Sequence, residues 1–141
     1  MGIFRLGRRF CADFIQCGFI GWCLECFWTG MDSLRKRHND KRLLCRTSVW
    51  MFPIYGLAAF IPMVHKYIKT KSPFFRGSVY ASAILGCEYT SGILLKRHNA
   101  CPWDYSKAKF NYKGVIRLDY IPCWALAGLL FERILCKKTT A

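Results

Sequence analysis

The sequence predicts an all-α membrane protein, a single membrane domain over residues 1–141 built as a bundle of about four transmembrane helices with short basic loops. Three observations lead there. Hydrophobic residues make up 53% of the chain and aromatics 16%, yet Lys and Arg number 22 against 8 acids. The basic residues fall in blocks such as RKRHNDKR (35–42), with long apolar stretches between them, as in proteins whose loops meet anionic headgroups. Four of those stretches approach the roughly 20 residues needed to cross about 30 Å of hydrocarbon.

The same composition weighs against two other classes. A net charge of +14 would suit a nucleic-acid binder. Such a protein spreads its cations along an exposed face of a compact fold, so no nucleic-acid partner is expected. A soluble four-helix bundle would leave these helices little polar surface to show water.

The elements follow in order. In MGIFRLGRRF, Ile3, Leu6 and Phe10 recur at helical spacing with Arg5, Arg8 and Arg9 elsewhere on the wheel. That pattern predicts a basic amphipathic segment over 1–10 lying in the headgroup region. The first span is placed at 11–31; no small-residue cleavage site follows it, so it is expected to be retained. The second, 47–65, has no charge between Thr47 and Val64 but carries Pro53 and Pro62, which predict kinks. The third is placed at 77–95. The fourth, 118–136, has Asp119 near its start and Glu132 near its end. With four spans both termini share a side, and Lys plus Arg then divide 10 against 12 between the two sides. That division leaves orientation open. Of the nine cysteines, Cys17, Cys23, Cys26, Cys87 and Cys123 sit in apolar runs and read as small hydrophobes.

The acids carry more information than the bases. A carboxylate at mid-bilayer costs about 2.5–3.5 kcal/mol on insertion scales and is kept off lipid. Glu25 follows Gly18 and Gly21 on one helical face, with Thr29 a turn further on. Glu88 shares a face with Ala81, Ile84, Ser91 and Gly92. Stripes of small residues are where membrane helices approach closely, so the two faces are expected to meet. That would create an intramembrane polar site at Glu25 and Glu88. The alternative is that each glutamate pins packing through its own Tyr, Trp or backbone partner. Glu132, beside Arg133, is read as a rim residue.

The run CPWDYSKAKFNYKG (101–114) separates the last two spans. Pro102 ends the preceding helix, and Trp103 and Tyr105 suit the headgroup boundary. Asp104 is expected to accept from the amide two residues on. Two readings stand: an interfacial anchor, or a loop that folds inward so that Trp103, Asp104 and Tyr105 cover Glu88, with Asn111 completing the polar site. GxSxG, P-loop and HExxH motifs are missing, and the lone CxxC at 23–26 has no second pair. No catalytic residue, metal site or cofactor is expected.

Glu88, Tyr89, Ser91 and Gly92, then NACPWDYS (99–106), Asn111, Gly114 and Trp124 form an ordered run. With GFIGWCLE (18–25) and TSVWMFPIYG (47–56), this run closely resembles the transmembrane protein 229 family. Through it the chain resembles the bacterial CmpB-like membrane proteins described as ABC-transporter type IV. The resemblance covers about Phe10 to Cys136. It implies a small multi-pass helical membrane protein, though the first loop is richer in Lys and Arg than the family pattern. The function expected is a non-enzymatic accessory or permease-like membrane component with a polar interior site. The alternatives are a lipid-acting membrane enzyme using Glu25 and Glu88 as acid and base, and a structural adaptor. Expected partners are the bilayer, anionic headgroups at the basic loops, and a second copy or another membrane protein.

Overall fold

The computed structural model describes residues 2–36 and 42–137, with the side chains of 7–34 and 42–137. Most of the basic block at 35–42 therefore lies outside the described side chains. Among the described residues the elements are α1 (Gly2–Lys36), α2 (Met51–Gly56), a 3-10 turn (Leu57–Phe60), α3 (Ile61–Ile68), α4 (Pro73–Arg97), β1 (Asn111–Tyr112), β2 (Ile116–Arg117), a second 3-10 turn (Leu118–Tyr120) and α5 (Ile121–Lys137), with irregular segments over 42–50 and 98–110. Two compact units emerge, residues 1–59 and 60–141.

In the first unit α1 has no proline to stop it and runs unbroken from residue 2 through the expected first span. Residues 2–10 of the expected N-terminal segment are the start of this helix, although residue 1 and the side chains of 2–6 lie outside the described residues. Gly7–Leu34 has mean hydropathy 1.3, and its 28 residues make it long and apolar enough to cross a membrane. Much of its surface is apolar and exposed, including Phe19, Phe27 and Trp28. Asp13, which the sequence reading did not weigh, is buried on the same helix, with Arg9 Nε 3.9 Å away one turn earlier.

The small residues of α1 are explained by α2. A Cβ at Gly18 would lie 2.7 Å from the Phe52 ring, and one at Gly21 would lie 2.3 Å from Tyr55 Cβ. Gly56 of α2 admits the Phe14 ring in return. Phe52 is enclosed edge-on by Phe19 and Trp22, each with its ring centroid 5.2 Å away. The α1 stripe, expected to meet the stripe carrying Glu88, is thus filled by the aromatic side chains of α2. The chain before α2 is strapped to α1: Trp22 Nε1 donates to Ser48 O at 2.9 Å, and the Thr29 hydroxyl exchanges 3.0 Å bonds with the Arg46 backbone.

The expected second span appears as α2, the 3-10 turn and α3. Pro62 lacks an amide and its ring crowds the carbonyl four residues back, so the backbone tightens over 57–60 before resuming as α3.

In the second unit Ser72 caps α4, its Oγ accepting from Phe75 N at 3.3 Å, and Pro73 occupies the first turn. This start signal places Arg76 inside the helix, a turn earlier than expected. At the other end Asn99 takes φ 52°, and Ala100 N returns to Leu95 O at 2.9 Å, closing the helix before Pro102. The α4 residues Gly77, Tyr80, Ala81, Glu88, Gly92 and Leu95 are buried, and α5 packs on this face through Gly128, Phe131, Glu132 and Leu135. A Cβ at Gly128 would lie 2.3 Å from Tyr80 Cβ, so the two helices cross at near backbone contact.

The outward face of α4 is also informative. Ser78, Ser82 and Thr90 are exposed, yet their hydroxyls donate to the carbonyls four residues back at 3.0, 2.9 and 2.9 Å. Hydroxyls satisfied by their own helix can face hydrocarbon without an orphaned donor.

Candidate functional site

The α4 face that packs on α5 also carries a carboxylate into the interior. Glu88 is 8% exposed. After α4 closes at Asn99, the chain turns back over this residue rather than away from it. Tyr105 donates from its hydroxyl to Glu88 Oε1 at 3.1 Å. Gly92, one turn along α4, makes room for Val115 and the Trp103 indole, which would lie 2.9 and 3.2 Å from a Cβ there. Trp103 Nε1 donates to Val115 O at 2.9 Å, and Val115 is fully buried. Glu88 Oε2 makes no hydrogen bond, and the indole Nε1 of Trp124, which interacts with the same carboxylate, makes none either.

The rest of the run builds the turn. Asp104 Oδ1 accepts from Ser106 N at 3.1 Å and Ser106 Oγ at 2.5 Å, the local turn expected from its position, and Lys96 Nζ adds a bond at 3.4 Å. The Ser106 bonds hold the Asp104 carboxyl below the usual aspartate range. Asn111 bridges the hairpin, donating to Ala108 O at 2.6 Å and accepting from Gly114 N at 3.0 Å. The hairpin pairs Asn111 with Arg117 and Tyr112 with Ile116. Gly114 has φ 66° and abuts the Ser106 hydroxyl, so Gly114→Ala is expected to cost about 1–2 kcal/mol, read as a lower thermal midpoint.

Because the folded Asp104 carboxyl titrates below its unfolded value, the turn's contribution is present above the ordinary aspartate pKa. It is lost as pH falls below about 3.9. Protection of the amides over 103–114 against exchange, relative to the intrinsic rate at each pH, is therefore expected to fall in acid, and Asp104→Asn to remove that acid dependence.

The structure thus joins Glu88 to Tyr105 directly and seats Trp103 against Gly92 one turn along α4, while Asp104 and Asn111 shape the loop that carries them. Glu25 belongs to the first unit, is half-buried, and accepts from the Thr47 hydroxyl at 2.7 Å.

Sequence reasoning missed a second polar centre. Glu132, expected at the rim, is also only 8% exposed. Arg76 Nε and Nη2 donate to its two oxygens at 3.0 and 3.1 Å, and Tyr80 donates from its hydroxyl at 2.6 Å. His65 Nδ1 lies 3.2 Å from the same carboxylate without the alignment of a hydrogen bond. Beside this centre opens a cleft of about 490 Å³ whose wall includes His65, Arg76, Glu132, Arg133 and Lys137. The available signal was Arg76 and Tyr80, four apart on α4, with a carboxylate among the apolar residues of α5. Arg133 was misleading, because adjacent helical residues point about 100° apart.

The ordered motifs, the long apolar α1 and the buried carboxylates are joined by one comparison. The family described as "Putative ABC-transporter type IV" matches residues 12–140. The chain belongs to this CmpB-type family. No solved structure matches it. The CmpB-type match runs through both units and includes Glu25, Glu88, Glu132 and the loop over 101–114.

Proposed function

We propose that this CmpB-type chain is a multi-pass integral membrane component, permease-like and non-enzymatic, that works with a separate ATPase subunit. Within the family we group it with the transmembrane protein 229 proteins, on the Glu88–Gly92 and NACPWDYS motifs. The observation that carries the membrane reading is the inversion of polarity. Large apolar side chains lie outside, with Phe74 86%, Leu126 69% and Phe27 69% exposed, while Asp13, Glu88 and Glu132 are buried. Water would penalise that outer surface, and lipid favours it. The four spans would be α1, the α2–α3 segment, α4 and α5.

The interior site of this component is Glu88 under its Tyr105 and Trp103 cover. Tyr105→Phe is expected to destabilise the fold by about 1–3 kcal/mol by withdrawing a donor from a buried carboxylate.

The permease reading is tested by purifying the full chain in native lipid particles and identifying what accompanies it by mass spectrometry. A stoichiometric ATPase subunit is the expected companion. Recovery of the chain with lipid and no ATPase would contradict the reading.

A further inference from the structure

We infer that the cleft beside Glu132 is a binding site for a phosphate-bearing anion, and that in a membrane its occupant is an acidic lipid headgroup. The site is separate from Glu88, and only its lipid source rests on the membrane reading above.

Its chemistry is set by an imbalance of charge. Arg76, Arg133 and Lys137 border the cleft with His65, and Glu132 is the one carboxylate there. That carboxylate is already engaged by Arg76 at 3.0 and 3.1 Å and by Tyr80 at 2.6 Å. Arg76 spends its third donor on Lys71 O at 2.8 Å. Two of the five guanidinium N–H groups remain without a bond, on a side chain that Glu132 and Lys71 hold in place. A fixed guanidinium with donors in reserve, flanked by an arginine and a lysine, matches the oxygens of a phosphate.

Position selects the source. The cleft lies where α4 begins and α5 ends, and the adjoining stretch 66–71 adds Lys66, Lys69 and Lys71 with no acid. Tyr67, 86% exposed, marks the same end with an aromatic side chain that favours a headgroup boundary. Leu129 offers an apolar wall to the start of an acyl chain. The volume, about 490 Å³, is in the range of small-ligand sites.

The test uses the full chain in detergent, with phosphatidylglycerol, phosphatidylcholine or inorganic phosphate added. Lipid retention is read by native mass spectrometry and stability by the thermal midpoint. Phosphatidylglycerol is expected to be retained about ten-fold or more over phosphatidylcholine and to raise the midpoint. The double variant Arg133→Gln/Lys137→Gln is expected to lose that preference while keeping its ligand-free midpoint. Lys107→Gln/Lys109→Gln, which removes the same charge in the 101–114 loop, should keep the preference. Competition by millimolar phosphate would support a site for the free anion. Failure to compete, with phosphatidylglycerol still preferred, would support a lipid headgroup. Equal retention of the two lipids, or equal losses in the two double variants, would overturn the proposal. Either result would leave the span assignment of α4 to its own topology test.

Discussion

Replacing Glu132 with alanine is expected to destabilise the second unit by about 3 kcal/mol or more, among the largest losses from any single side chain. The carboxylate holds Arg76 and Tyr80 across two helices. Its removal takes the carboxylate from the Arg76 guanidinium and the acceptor from the buried Tyr80 phenol. The size of the loss comes from what is left behind rather than from the strength of the pair. The double variant Arg76→Met/Glu132→Leu should therefore recover much of it, because both charges leave together. A double-mutant cycle on thermal midpoints in detergent checks this. Additive single effects would show that the two residues act independently.

Gly128→Val should be comparably damaging for a steric reason. The new Cβ would lie 2.3 Å from Tyr80 Cβ, an atom fixed to the α4 backbone, so no rotamer change relieves it. The helices must separate, which breaks the packing that also aligns Tyr80 with Glu132. Overpacking of this kind costs about 1–3 kcal/mol, and the added methyl groups of valine place the effect at the upper end. Gly86 supplies the control. It lies on the outer face of α4 with nothing within 4 Å of an added Cβ, so Gly86→Ala should be neutral or slightly stabilising. Equal losses at the two glycines would mean that α4 and α5 do not cross at Gly128.

Much of the helical organisation was legible because long apolar runs between basic blocks mark where helices lie. The span within α1 reads from its length and mean hydropathy despite Asp13 and Glu25, and Pro62 marks where the second segment tightens. The Asp104 turn was legible because it is local: acceptor and amide lie two residues apart. The partner of the Gly18–Gly21 stripe was not legible. A small residue declares a close approach without naming what approaches, and here aromatic rings of α2 fill the space rather than another small-residue helix.

Glu88 could be singled out from its place in an expected span, but its bond to Tyr105 depends on a loop folding back across 17 residues of sequence. Glu132 was misread because a neighbouring arginine suggested a rim pair, while its true partner is 56 residues away. Long-range polar pairing leaves no periodic trace in a sequence, and these are the contacts that build both candidate sites.

The central claim is that α4, with its hidden carboxylate and self-bonded hydroxyls, crosses a membrane. Single cysteines at 71 and 107, in a background with the native nine replaced, flank this helix at its two ends. Sealed vesicles would be treated with an impermeant maleimide before and after permeabilisation. The account predicts that one position labels in sealed vesicles and the other only once they are opened. Labelling of both from the same side would contradict it.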